Sequence, residues 1–128
     1  MGNEPRILVV DDESAVVDVL TRYLRNAGCD VRAASSAEEA IALAAHERFD
    51  LVMLDVVLPG MTGFGAIAAL RRQSDVPIIM MTGYIEDEAR KDAELLGADG
   101  LIVKPVEFEK LLETIRGFRG REHGLQPR

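Results

Sequence analysis

Five short apolar runs, each followed by a stretch with helical spacing, constrain this chain more than any other feature. The runs are Ile7 to Val10, Asp30 to Ala34, Leu51 to Leu54, Ile78 to Met81 and Leu101 to Val103. Between them lie helical stretches at about Glu13 to Ala27, from Ser36 with Ala40, Ile41, Leu43 and Ala44 on one face, at about Gly63 to Arg72, and at about Glu86 to Leu96. A last one comes after the fifth run, with Phe108, Leu111, Leu112 and Ile115 on one face and Gly117 as its expected stop. Gly28 and Gly97 are read as stops, and Ser36 with Glu39 as a capping box.

Parallel strands need crossover connections, so five βα units imply one parallel sheet with helices on both faces. The first, third and fourth runs are continuously apolar and belong in the middle, whereas the more polar second run belongs at an edge. The expected fold is therefore α/β, a flavodoxin-like, doubly wound five-stranded parallel sheet in the order 2-1-3-4-5. Residues 1–117 read as one domain and 118–128, which lack periodicity, as a flexible tail or linker stub.

Composition removes several classes. No apolar run approaches the ~20 residues of a membrane span or the h-region of a secretory signal, which makes cytoplasmic residence the expectation. A formal charge of −7 argues against direct nucleic-acid binding. Cys29 is the single cysteine, so an internal disulfide is excluded, and it reads as a small apolar residue. His46 and His123 stand without partner motifs, and the Met80-Met81 pair reads as core.

The chemistry lies where the strands end. The first run closes on Asp11-Asp12, the third on Asp55, the fourth on Thr82 and the fifth on Lys104. In an open α/β sheet, ligands bind outside the carboxyl ends of the strands, so three carboxylates, a hydroxyl and an ammonium converge on one rim. Taken singly, each has an ordinary explanation: Asp12 or Thr82 as a helix cap, Lys104 as a solvated charge. Together, at matching strand ends, they read as a site. Two carboxylates about 4 Å apart repel by about 4 kcal/mol at an effective dielectric near 20. Either one aspartate takes a proton or a cation bridges them, and oxygen ligands suit Mg²⁺ (or Mn²⁺). Asp55 would then be the nucleophile.

Several stretches carry a resemblance: Ile7 to Glu13, Asp50 to Asp55, the loop Leu58-Pro59-Gly60-Met61-Thr62-Gly63, Thr82-Gly83, and Gly97-Ala98-Asp99-Gly100 with Lys104-Pro105. In that order they resemble receiver domains of bacterial response regulators over roughly Arg6 to Arg116. The resemblance implies that Asp55 accepts a phosphoryl group from a phosphohistidine. The donor would be a sensor histidine kinase or a phosphotransfer protein. Asp12 would bind Mg²⁺ directly, Asp11 through water, and the Val57 carbonyl would be a further ligand. Thr82 and Lys104 would each meet a phosphoryl oxygen, and Lys104-Pro105 would be cis. The signal would pass to a downstream protein or an output domain, with the receiver a monomer or a phosphorylation-dependent dimer.

Two positions depart from the pattern. Leu101 stands where many receivers carry a switching aromatic. Tyr84, two residues after Thr82, reads equally as a loop aromatic and as a lid or substitute switch ring, and with Val57 would flank the path of hydrolytic water. The runner-up function is an Asp-dependent phosphohydrolase. Such enzymes usually place an acid/base Asp two residues after the nucleophile, where this chain has Val57. A flavin- or nucleotide-binding module would want a Gly-rich phosphate loop where Asp11-Asp12 stand. A receiver kept only as a scaffold would not need all five site residues.

Overall fold

The structure, a computed structural model, describes residues 4–83 and 97–122, with side chains described as far as Gly117. The helix expected over about Glu86 to Leu96, together with Tyr84 and His123, lies outside the described residues. Within them the chain runs β1 (Arg6–Val10), α1 (Ser14–Asn26), β2 (Asp30–Ala34), α2 (Ala37–His46), β3 (Leu51–Asp55), α3 (Gly63–Gln73), β4 (Ile78–Thr82), β5 (Gly100–Val103) and α4 (Phe108–Glu122).

All neighbouring strands pair in parallel, in the order β2-β1-β3-β4-β5. The three continuously apolar runs, β1, β3 and β4, sit centrally, the mixed β2 at one edge as its pattern requires, and β5 at the other. Side chains alternate across the pleat and divide the core in two. Leu8, Val10, Val52, Leu54, Ile78 and Met80 face α2 and α3 with Ala40, Ala66, Ile67 and Leu70. Ile7, Val9, Leu51, Met53, Ile79 and Met81 face α1 and α4 with Leu20, Leu24, Leu111 and Ile115. Tyr23 of α1 stacks on Phe108, ring centroids 4.1 Å apart, and so fixes the start of α4.

The helix ends obey local chemistry. At Gly28, φ is +93°. The Cys29 N–H returns to Leu24 O at 2.9 Å and Gly28 N–H to Arg25 O at 3.0 Å, so α1 closes in a Schellman motif. Ser36 caps α2 by accepting from Glu39 N–H. The reciprocal half of the expected box is displaced: the Glu39 carboxylate accepts from the N–H and hydroxyl of Ser35, one residue earlier.

One expected stop fails. Helix α4 runs through Gly117 to Glu122. Glycine ends a helix when it adopts a left-handed φ at the C′ position. Gly28 and Gly97 do so, whereas Gly117 does not. In a helical conformation a glycine costs about 1 kcal/mol and the helix continues.

At the amino ends of the strands, Arg71 of α3 donates to Gly97 O, Val76 O and the Asp99 carboxylate. That carboxylate also accepts from Ile78 N–H at 2.8 Å. This cluster ties α3 to the entries of β4 and β5. The opposite, carboxyl rim is left to carry the acidic side chains and Lys104.

Candidate functional site

Parallel register sets the rim. Val10 pairs with Leu54, Asp55 with Met81, and Thr82 with Val103. The residues that come after β1 and β5, Asp11-Asp12 and Lys104, therefore arrive at the level of Asp55 and Thr82. Asp11 and Asp55 are the buried charged residues among the described residues, at 1% and 6% exposure. One carboxylate oxygen from each of Asp11, Asp12 and Asp55 falls in a group spanning no more than 4.8 Å.

Lys104 Nζ lies 2.8 Å from Asp11 Oδ2, 3.1 Å from Asp55 Oδ2 and 3.7 Å from Glu13 Oε1. Its backbone N–H donates to Thr82 O, binding the head of the β5 loop to the end of β4. The Lys104-Pro105 peptide is cis, as the sequence pattern implied. Asp11 spends its other oxygen on Glu13 N–H at 3.0 Å, and Asp55 spends its Oδ1 on Val57 N–H at 3.1 Å. Asp12, in contrast, is exposed to solvent.

The charges do not balance. Burial pulls the Lys104 ammonium down, but hydrogen bonds to Asp11 and Asp55 outweigh it and hold the group above its ordinary value. Burial pushes the Asp55 carboxyl up. The Val57 N–H and Lys104 oppose that rise, Asp11 adds to it, and the net is upward. The two partners differ because Lys104 faces two carboxylates, whereas each carboxylate has only a share of one ammonium. An excess of negative charge is left around two buried carboxylates, which is where a cation is favoured.

A pH dependence results for the metal-free protein. A carboxyl whose folded value is raised binds its proton more tightly folded than unfolded. Its contribution to stability is full below the ordinary value of 3.8 and is lost as pH rises through the raised one. Asp55→Asn removes that loss. Urea unfolding in chelator should show the Asn variant more stable than wild type near neutrality. The difference should shrink as pH falls toward the ordinary carboxylate range. A constant difference across pH would mean that Asp55 is not the titrating group.

The structure thus brings Asp11, Asp55 and Lys104 into contact, sets Asp12 beside them and Thr82 on the adjoining strand end. Val57 caps the Asp55 carboxylate with its N–H, and the residue is 74% exposed. Leu101 packs against the α2/α3 side of the core. Sequence reasoning missed Glu13 as a third carboxylate near Lys104. Its position directly after the acidic pair was the available signal.

A parallel 2-1-3-4-5 sheet bearing a buried strand-end aspartate, an acidic pair and a lysine defines a class: α/β domains with an acidic pocket at the carboxyl rim. Comparison with known proteins gives the family. The description "Response regulator receiver domain" matches residues 7–116, so the chain belongs to the receiver domains of two-component signal transduction. A "Probable transcriptional regulator ycf27" of Porphyridium aerugineum is 40% identical over 116 residues, which is 91% of this chain and 48% of that protein. The chain spans about half the length of the curated relatives it matches. The chemotaxis protein CheY4 of Vibrio cholerae is similar at TM-score 0.86 and 36% identity, covering 90% of this chain and 98% of that one. The receiver domain of the sensor histidine kinase PA1611 of Pseudomonas aeruginosa is similar at TM-score 0.85 and 26% identity, covering 91% and 98%. That structure has a magnesium ion coordinated in its active-site cleft.

Proposed function

We propose that this receiver is a phosphoryl-accepting switch and that Asp55 is the acceptor. A buried carboxylate, oriented by the Val57 N–H and set between an acidic pair and an ammonium, is the observation that supports the reading. An Asp55 oxygen attacks the phosphorus of a phosphohistidine on a sensor kinase or phosphotransfer protein. The P–N bond breaks, its electron pair stays with the imidazole, and an acyl phosphate forms.

The donor set fits a hard divalent cation. Three carboxylates converge, Asp11 and Asp55 sharing one ammonium, and all the ligands on offer are oxygens. Asp11, Asp12, Asp55 and the Val57 carbonyl would hold Mg²⁺ or Mn²⁺. Such an ion supplies charge neutralisation and polarises a phosphoryl oxygen. Lys104 is proposed to exchange its hold on Asp55 for a phosphoryl oxygen, and the Thr82 hydroxyl to bond another. The PA1611 receiver, with magnesium in its active-site cleft, supports the choice of metal.

The chain catalyses only its own phosphorylation and dephosphorylation in this reading. A phosphohydrolase would need a proton donor near Asp55, and the residue two positions on is Val57. We further propose that the signal is read by an output domain or a separate protein. Relatives about twice as long are named transcriptional regulators, which supports the former. No helix among the described residues is long and apolar enough to cross a membrane, which agrees with a cytoplasmic setting. Residues 1–117 are proposed as the functional module and 118–128 as a tail or linker stub, whose first residues continue the last helix to Glu122.

The test is intact-mass spectrometry after treatment with acetyl phosphate and Mg²⁺. One added phosphoryl group, dependent on the metal, is the expected result. Turnover of para-nitrophenyl phosphate without a retained phosphoryl group would favour the hydrolase.

Thr82→Ala separates uptake from response. Labelling should continue, because Asp55 and the acidic pair are intact. The conformational response should largely fail, since a hydrogen bond to a charged acceptor contributes about 1.5–3 kcal/mol, comparable with the free energy of a two-state switch. Amide shift changes on phosphorylation equal to those of wild type would refute the assignment.

A further inference from the structure

Gly63 opens α3 directly below the end of β3, and its surroundings leave no room for a side chain. A Cβ built there would lie 2.9 Å from both Met80 Cε and Val56 Cα, and closer still to the Asp55 carbonyl oxygen. The methyl end of Met80 can move, but the Asp55 and Val56 atoms belong to the backbone and cannot yield without shifting the acceptor. The Gly63 N–H donates to Val56 O at 2.9 Å, closing the loop that leaves β3 and returns as α3. Val56 N–H in turn donates to Met81 O, which fixes the preceding Asp55–Val56 peptide to β4. The next residue, Val57, presents the N–H that Asp55 Oδ1 accepts. Leu58, 8% exposed, and the Thr62 cap on Gly65 N–H hold the rest of the loop.

From this geometry we infer that Gly63 is a positioning residue for the phosphoryl acceptor, because its bare Cα lets α3 seat against the Asp55–Val56 backbone and so aims the Asp55 carboxylate and the Val57 peptide. The inference rests on the reading of Asp55 as the acceptor. Its reach differs from that of an ordinary packing glycine. An ordinary packing glycine, once replaced, lowers stability, whereas a positioning glycine also changes the reactivity of the protein that remains folded.

The experiment compares wild type, Gly63→Ala, Met80→Leu and the double variant Gly63→Ala/Met80→Leu. Met80→Leu removes the terminal methyl with little change in volume, so it relieves the side-chain overlap and leaves the backbone overlap in place. Circular dichroism first sets a temperature at which each is folded. Sucrose, which favours the compact state, is added to all samples if Gly63→Ala requires it. Two quantities are then read: the rate of labelling by acetyl phosphate at saturating Mg²⁺, and the Val57 amide resonance in the metal-free protein.

Gly63→Ala should label at least roughly tenfold more slowly, since a displacement approaching 1 Å at a reacting group costs up to about 100-fold. Its Val57 amide should move away from the hydrogen-bonded position. Met80→Leu alone should match wild type in both, and the double variant should stay slow. Labelling of folded Gly63→Ala at the wild-type rate would overturn the inference, as would recovery in the double variant, which would reduce Gly63 to core packing. Wild type that takes no label would overturn the acceptor reading, and the inference with it.

Discussion

Asp55→Asn is expected to take up no phosphoryl group from acetyl phosphate under conditions that label wild type completely. The amide nitrogen and oxygen of Asn preserve the shape of the side chain, so the Val57 N–H still finds an acceptor and the rim keeps its geometry. The loss is of the anionic oxygen that must form the bond to phosphorus. Other carboxylates stand close, but each is disposed differently. Asp11 is fully buried with one oxygen on Glu13 N–H and the other on Lys104. Asp12 is exposed at the margin of the group. The loss of label should therefore be essentially complete. Intact-mass spectrometry decides it, with circular dichroism and urea unfolding measured in parallel to show that the variant is folded. Stoichiometric label on Asp55→Asn would move the acceptor elsewhere.

Lys104→Met should give the largest change in stability. The methionine keeps roughly the length of the stem, which borders the same apolar groove as Val16, Leu20 and Pro105, and removes the charge. Asp11 and Asp55 are then left buried beside one another with no cation. Removing one partner from a buried ionic group typically costs about 3–5 kcal/mol, because the remaining charge is uncompensated. Here the lower end, about 3 kcal/mol, is expected, since the Asp55 carboxyl is already raised and can neutralise itself by taking a proton. Urea unfolding in chelator measures the loss. Saturating Mg²⁺ should restore much of it, and the variant should depend on the ion for stability far more than wild type does. Asp55→Asn placed on top of Lys104→Met should recover part of the stability, a coupling that a double-mutant cycle isolates. Equal stability of Lys104→Met and wild type without metal would mean that the acidic group needs no internal counter-charge.

These expectations depend on contacts of very different origin. The strands and the rim residues were legible along the chain. A run such as Leu51-Val52-Met53-Leu54 is apolar at every position because both of its faces are covered, and that property is local. The residue after such a strand necessarily emerges at the carboxyl rim, so Asp11, Asp12, Asp55, Thr82 and Lys104 could be grouped from sequence order alone. The Gly28 stop and the Ser36 cap were legible for the same reason, since each acts within a few residues.

Only tertiary structure decided the features that act through space. Gly117 and Gly28 are the same residue type, but only the φ value imposed by surrounding hydrogen bonds makes one of them an end, so α4 continues where a sequence stop was expected. Glu39 reached Ser35 in place of Ser36 because the entry angle of β2 into α2 sets which N–H lies within range. That Lys104 lies between Asp11 and Asp55, leaving unbalanced negative charge, required the distances of 2.8 and 3.1 Å that parallel register brings about across residues far apart in sequence. The crowding of Gly63 against the Asp55 carbonyl has the same origin. Sequence names the groups that reach the rim because a strand has a direction, whereas their separations come from how neighbouring strands and helices pack.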